Sequence, residues 1–214
     1  MKRLYTFFMA VALCLSSNAA TPINVVNGIS QELAVSRAAI VGNITYDLTF
    51  NIPTSKTEAV KGNATITFIY KGGKTDLQLD FQGAPSQFDG LCVVNGKQIA
   101  VAWQDEHILI PRKSLRRGKN IISMSFISGD KSLNRNADYL YTLFVPEHAR
   151  SVFPCFDQPD LKALFHTRLN VPEGWETITS VSTERIPTYL FSFVAGKFSK
   201  QTQERNGRTF TALY

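Results

Sequence analysis

The sequence predicts an all-β, mainly antiparallel domain, saddle-shaped or sandwich-like in its sheet assembly, with one short helix near the N-terminus. Three observations carry this prediction. Apolar and polar residues alternate over many short runs, turn-forming Gly, Asn, Asp and Pro residues separate those runs at regular spacing, and a single early segment carries helix-capping signals. Short strands with one apolar face each must bury that face against another layer, which an antiparallel sandwich or saddle-shaped sheet supplies.

In chain order, Lys2 and Arg3 precede an apolar run, Leu4 to Leu15, that ends in Ser17-Asn18-Ala19-Ala20. This pattern predicts a secretory signal peptide over residues 1–20, cleaved after Ala19 or Ala20, and an exported, periplasmic or extracellular product. The run is too short for a bilayer span, which needs about 20 apolar residues. Cys14 follows Leu13, where a lipidated cysteine normally follows a small residue, so lipidation is not expected. Residues 21–214 are expected to form one β domain, long enough to bury about 70% of the unfolded surface.

Ser30 to Val41 suits a short helix with Ser30 as N-cap, Glu32 beside the positive helix end and Gly42 as the stop. The period then changes to two. Tyr46, Leu48, Phe50 and Ile52 share one face of a half-buried strand. Runs at 64–70 and 77–81, joined by Lys71-Gly72-Gly73-Lys74, are expected to pair as a hairpin. Asn95-Gly96 inside Val93 to Ile99 demands a second hairpin, because both residues tolerate the positive φ angles of a type I′ turn. Further strands are expected over 107–110, 120–127, 139–145, 163–171, 177–181, 188–194 and 209–213, with turns at Ser128-Gly129-Asp130 and Pro172-Glu173-Gly174.

The formal net charge is +6, and removing Lys2 and Arg3 leaves 21 basic against 17 acidic residues. That excess is mild. The one dense cluster, Arg112, Lys113, Arg116, Arg117 and Lys119, lacks interleaved aromatics, and Gly118 falls where a helix C-cap would. It reads as a solvated turn, so no nucleic-acid partner is expected, nor a membrane contact once the signal is cleaved. Cys92 and Cys155 sit in apolar surroundings and read as buried free thiols, although an oxidising compartment would permit them to pair.

Catalytic chemistry has little to build on. His107, His148 and His166 are scattered, and none begins a His-Glu-x-x-His motif, so no metal site and no cofactor are expected in this chain; all three read as surface or loop histidines. No Gly-x-Ser-x-Gly elbow is present. Cys155, flanked by Phe153-Pro154 and Phe156, would have a raised thiol pKa and be inert. Lys71-Gly72-Gly73-Lys74 lacks Walker spacing, and Asn43-Ile44-Thr45 and Asn63-Ala64-Thr65 are glycosylation acceptors only in a host that glycosylates them.

From Tyr139 to Trp175 the chain carries Thr142, Pro146, Ala149-Arg150, Phe153-Pro154-Cys155-Phe156-Asp157, Pro159 and Lys162-Ala163 in sequence. This segment resembles the N-terminal domain of the aminopeptidase N family of zinc metallopeptidases, and Thr188 to Gly196 is similar to that domain's closing strand. The resemblance implies a non-catalytic β domain that packs on a thermolysin-like catalytic domain of the same chain and helps wall the peptide cleft. Peptide would be met only indirectly. Zinc would be expected only in the catalytic domain, whose motifs would follow Tyr214. Many relatives continue the Thr as Gln-x-Glu-Pro, with polar side chains that help hold the peptide's amino terminus; Leu143 and Val145 stand there instead and can offer neither charge nor a side-chain hydrogen bond. Within the segment, Pro154 and Pro159 restrict the backbone around Phe156-Asp157, and Asp157 is expected to cap backbone N–H groups with Arg150 as its partner. The alternative is a stand-alone secreted module binding glycan or protein through Phe81, Trp103, Tyr139, Tyr141 and Trp175, although most of these aromatics are expected in the core.

Overall fold

The computed structural model describes residues 23–83, 85–179 and 182–214; the signal-peptide reading lies outside them. In chain order the elements are α1 (Gln31–Ile40), β1 (Val41–Asn51), β2 (Lys61–Tyr70), β3 (Leu77–Asp80), β4 (Leu91–Val94), β5 (Lys97–Ala100), β6 (Ala102–Gln104), β7 (His107–Ile110), β8 (Gly118–Ile127), β9 (Leu133–Arg135), β10 (Tyr139–Thr142), β11 (Ala163–Asn170), β12 (Glu176–Thr179), β13 (Phe193–Gly196), β14 (Lys200–Arg205) and β15 (Arg208–Leu213). The class is all-β and sandwich-like. A six-stranded sheet runs β11-β1-β2-β8-β4-β5, beside a three-stranded sheet β3-β7-β6, a four-stranded sheet β12-β13-β10-β9 and the hairpin β14-β15. Among the described strands pairing is antiparallel except for β1 with β11, which run parallel.

Alternation places the core. Tyr46, Leu48 and Phe50 of β1 and Ala64, Ile66 and Phe68 of β2 are buried, and their neighbours along each strand are less so. Phe126 of β8 meets Phe81, just after β3, edge to face at 6.1 Å, and Phe50 meets Phe193 of β13 at 4.8 Å. These rings join the six-stranded sheet to both smaller ones.

Several expectations are corrected. The runs now seen as β2 and β3 do not pair: both edges of β2 are taken by β1 and β8, and β3, buried at all four residues, pairs with β7 in another sheet. Helix α1 begins as expected, with Ser30 Oγ accepting from the Leu33 N–H, but Gly42 does not stop it; the chain passes directly into β1 at Val41, and a bulge between Gly42 and Thr45, with Asn43 at φ 50°, sets the register. The strand expected over 139–145 ends at Thr142, ahead of a cis Val145–Pro146 peptide. Thr188–Leu190 forms a 3₁₀ turn, and its strand begins only at Phe193. The strand expected over 177–181 is seen as Glu176–Thr179, its last expected residues lying outside the described ones. Gly118 caps no helix; Arg112–Ser114 is a short 3₁₀ turn, and Gly118, at φ 95°, opens β8. The Asn95-Gly96 hairpin forms with both residues at positive φ.

Candidate functional site

The segment from Tyr139 to Ala163 mixes buried and exposed residues, and its conformation is set by buried polar contacts. Thr142 ends β10 with its hydroxyl accepting from the Phe193 N–H at 3.0 Å and donating to the Phe193 carbonyl at 3.3 Å, which clamps β10 to the start of β13. Pro146 follows the cis bond; Ala149 and Arg150 lie in a buried 3₁₀ turn. Residues Phe153 to Gln158 are all buried, whereas Pro159 and Lys162 are exposed and Ala163 opens β11 in the core.

Asp80, at the end of β3, holds this loop in place. Its backbone exchanges both hydrogen bonds with Cys155, and its Oδ2 accepts from the Asp157 N–H at 2.8 Å. Its Oδ1 accepts from Arg37 Nη1 of α1 at 2.5 Å and lies 3.0 Å from His107 Nδ1 of β7. All three side chains are buried. Burial alone would raise the Asp80 carboxyl pKa, but the Arg37 and His107 charges and hydrogen bonds outweigh it and hold the pKa below the usual carboxylate value. Arg37 Nε donates to Gln158 Oε1 at 2.7 Å, and the guanidinium lies 5.8 Å from the Phe156 ring centroid, so the helix grips the loop at two points. The alternation at 77–81 pointed to a solvent face for Gln78 and Asp80, and the charged Arg37 and titratable His107 gave no sign of converging on it. The remaining hint is Leu33 and Arg37, one turn apart and both buried on the same helix face.

Asp157 caps a backbone N–H, as expected, but the contact with Arg150 is different in kind. Its Oδ2 accepts from the Arg150 backbone N–H at 3.0 Å, while the Arg150 guanidinium turns to Glu147 and Glu106. Burial pushes the Asp157 carboxyl up to about 6, partly offset by the Arg150 N–H, with the Asp80 charge adding to the rise. The folded state therefore binds this proton more tightly than the unfolded chain, whose value is near 3.8. Stability is expected to fall as pH rises from about 4 to about 6, by about 3 kcal/mol at most. Asp80 acts in a separate window: its depressed value supports the fold above the unfolded carboxylate pKa, and that support is lost as pH falls through the folded value. Asp157→Asn, which keeps an acceptor for the Arg150 N–H, should flatten the pH 4 to 6 slope in urea denaturation. Asp157→Ala should cost roughly 1–3 kcal/mol near pH 5.

His107 is buried, contrary to the surface or loop reading, with Nε2 3.0 Å from the carbonyl oxygens of both Val26 and Gly28 and Nδ1 against Asp80. His166 Nδ1 engages Asp47 at 2.8 Å on the outer face of β11 and β1. Among the described residues no three His, Cys, Asp or Glu side chains are grouped to hold a metal. Cys92 and Cys155 are free and buried, and burial raises both thiol pKa values, Cys92 to about 12.

One edge of the segment is open. Along β10 and its continuation Leu140, Thr142 and Phe144 point inward, and Tyr139, Tyr141, Leu143 and Val145 outward, Leu143 at 57% and Val145 at 51% exposure. Tyr141 pairs across to Val194 and Val194 to Ile178, extending the apolar strip over the outer face of the four-stranded sheet. Tyr139 stacks on Tyr141 and on Phe198. Of the five aromatics of the binding-module alternative, Phe81 is buried, Trp103 and Trp175 pack against the core, and the two tyrosines are exposed.

Residues 128–190, which hold this loop, match the Peptidase M1 N-terminal domain. Together with the relatives that follow, this match supports an N-terminal domain of the aminopeptidase N family. Over 207 residues it is 25% identical to aminopeptidase N of Streptomyces lividans, covering 85% of this chain and 24% of that protein. Probable M1 family aminopeptidase 2 of Encephalitozoon cuniculi is 33% identical over 117 residues, which cover 40% of this chain and 13% of that protein. The fold resembles the M1 zinc metallopeptidase of Deinococcus radiodurans, with a TM-score of 0.60 at 19% identity over 77% of this chain and 44% of that one. A mutant of that enzyme bound to a Tyr-Ser-Ala substrate gives 0.59 at 19% identity over 80% and 46%. The chain thus spans about a quarter or less of the curated relatives it matches, which are longer M1 aminopeptidases that also carry a catalytic domain.

Proposed function

We propose that this chain is the non-catalytic N-terminal domain of an exported zinc aminopeptidase, packing on a thermolysin-like catalytic domain and helping to wall the peptide cleft. The observation that carries the reading is the outward apolar strip Tyr141, Leu143 and Val145, which alternates with the buried Leu140, Thr142 and Phe144. A contiguous apolar face beside a rigid loop is the chemistry of an interface. Rigidity comes from the Asp80 and Asp157 contacts. Leu143 and Val145 contribute shape and apolar surface to a cleft and cannot neutralise a peptide ammonium through their side chains, so that anchor and the zinc belong to the catalytic domain. Export is supported by Lys2, Arg3 and the apolar run that follows.

The test is association in trans with an M1 catalytic domain deprived of its own N-terminal domain. Leu143→Asp with Val145→Asp should weaken binding about 100-fold, because two carboxylates would be desolvated, while the melting temperature changes little at these exposed positions. Undiminished binding by that double variant would refute the assigned face.

A further inference from the structure

The five-cation cluster of the β7–β8 connection is not an isolated turn. Arg117 Nη1 donates to the Lys71 carbonyl of the β2–β3 turn, and Asn95 of the β4–β5 hairpin bonds the Ser114 carbonyl and the buried Asn120 side chain. Asn120 in turn bonds the Arg116 N–H and carbonyl. Three turns are thereby gathered at one end of the molecule. Lys71, Lys74 and Lys97 join the cluster there, every one of these cationic side chains is exposed, and none enters an ion pair among the described residues. The nearby carboxylate of Asp76 is engaged by the Arg112 N–H.

Between the cations lies a trough of about 830 Å³. Lys97, Lys113 and Arg116 line it, together with the aliphatic Val94, Ile99 and Leu115. Cations outside any ion pair, mixed with aliphatic side chains in one lining, match the phosphate headgroup and apolar chains of a phospholipid. A single-stranded nucleic acid would call for stacking surfaces, and the lining of the trough contains no aromatic. Contrary to the solvated-turn expectation for this cluster, we propose that this end of the domain docks on anionic phospholipid bilayers as a peripheral contact. Among the described residues no helix is long and apolar enough to cross a membrane. The surface uses none of the residues of the Tyr141 strip.

The test is cosedimentation of the full chain with phosphatidylglycerol-containing vesicles against pure phosphatidylcholine vesicles. Binding is expected only with the anionic vesicles, falling as salt is raised. The triple change Lys97→Gln, Lys113→Gln, Arg116→Gln should reduce it about 100-fold without shifting the melting temperature. Lys200→Gln with Arg205→Gln and Arg208→Gln, in the β14-β15 hairpin, should leave it unchanged. Equal binding to both vesicle types, an unaffected triple variant, an equal loss in the hairpin variant, or tighter binding to a DNA oligonucleotide than to the vesicles would overturn the proposal.

Discussion

Replacing Asp80 by alanine is expected to destabilise the domain by about 3–5 kcal/mol in urea or thermal denaturation at neutral pH. The buried Arg37 guanidinium would lose its counter-charge, and removing one partner of a buried pair leaves the other charge uncompensated. The Asp157 N–H would lose its acceptor as well. Asp80→Asn should recover little, since the shape survives but the charge does not. The damage should also reach the N-terminal strap. His107 holds the carbonyls of Val26 and Gly28, and Gly28 N–H donates to Glu106, so limited proteolysis ahead of α1 should quicken in the variant. A loss below about 1 kcal/mol would mean that the cluster is not what fixes the loop.

Phe153→Ala is expected to cost a similar amount, about 3–5 kcal/mol, by a different route. The ring is fully buried and meets Tyr46, Phe50, Phe144 and Phe191 edge to face at 5.8–6.2 Å. Tyr46 and Phe50 belong to β1, whereas Phe144 follows β10 and Phe191 precedes β13, so one side chain bridges the six-stranded and four-stranded sheets. Truncation would leave a cavity between layers that cannot close without moving both. Phe153→Leu should restore much of the loss, because it keeps most of the apolar volume. The two variants separate the contributions: the carboxylate places the loop, and the ring packs it.

Much of this architecture was legible in the sequence where one strand face is buried and the other wet. Tyr46, Leu48 and Phe50 announced β1, and Asn95-Gly96 announced its hairpin. For β3 the strand itself was read, but its pairing and faces were not, because both faces are buried and polar Gln78 and Asp80 occupy the interior. Reading failed for β14, whose six residues are all polar or charged and exposed, although Asn206-Gly207, with both residues at positive φ, is the same turn signal that located β4 and β5. The parallel β1–β11 pairing joins residues 119 apart in sequence, such as Asp47 and His166, and no local pattern encodes so distant a neighbour. At the candidate site the signature residues from Thr142 to Ala163 could be read directly. The residues that brace them, Arg37, Asp80 and His107, could not, because they come from three separate elements and each looked like a surface position.

The central claim is a division of labour between this β domain and a separate zinc-bearing one. Aminoacyl-naphthylamide hydrolysis, measured with zinc on the purified chain alone and then with a thermolysin-like M1 catalytic domain added, addresses it most directly. The account predicts no turnover by the chain and a rate for the mixture above that of the catalytic domain by itself. Turnover by the chain alone, with a stoichiometric bound metal, would contradict it.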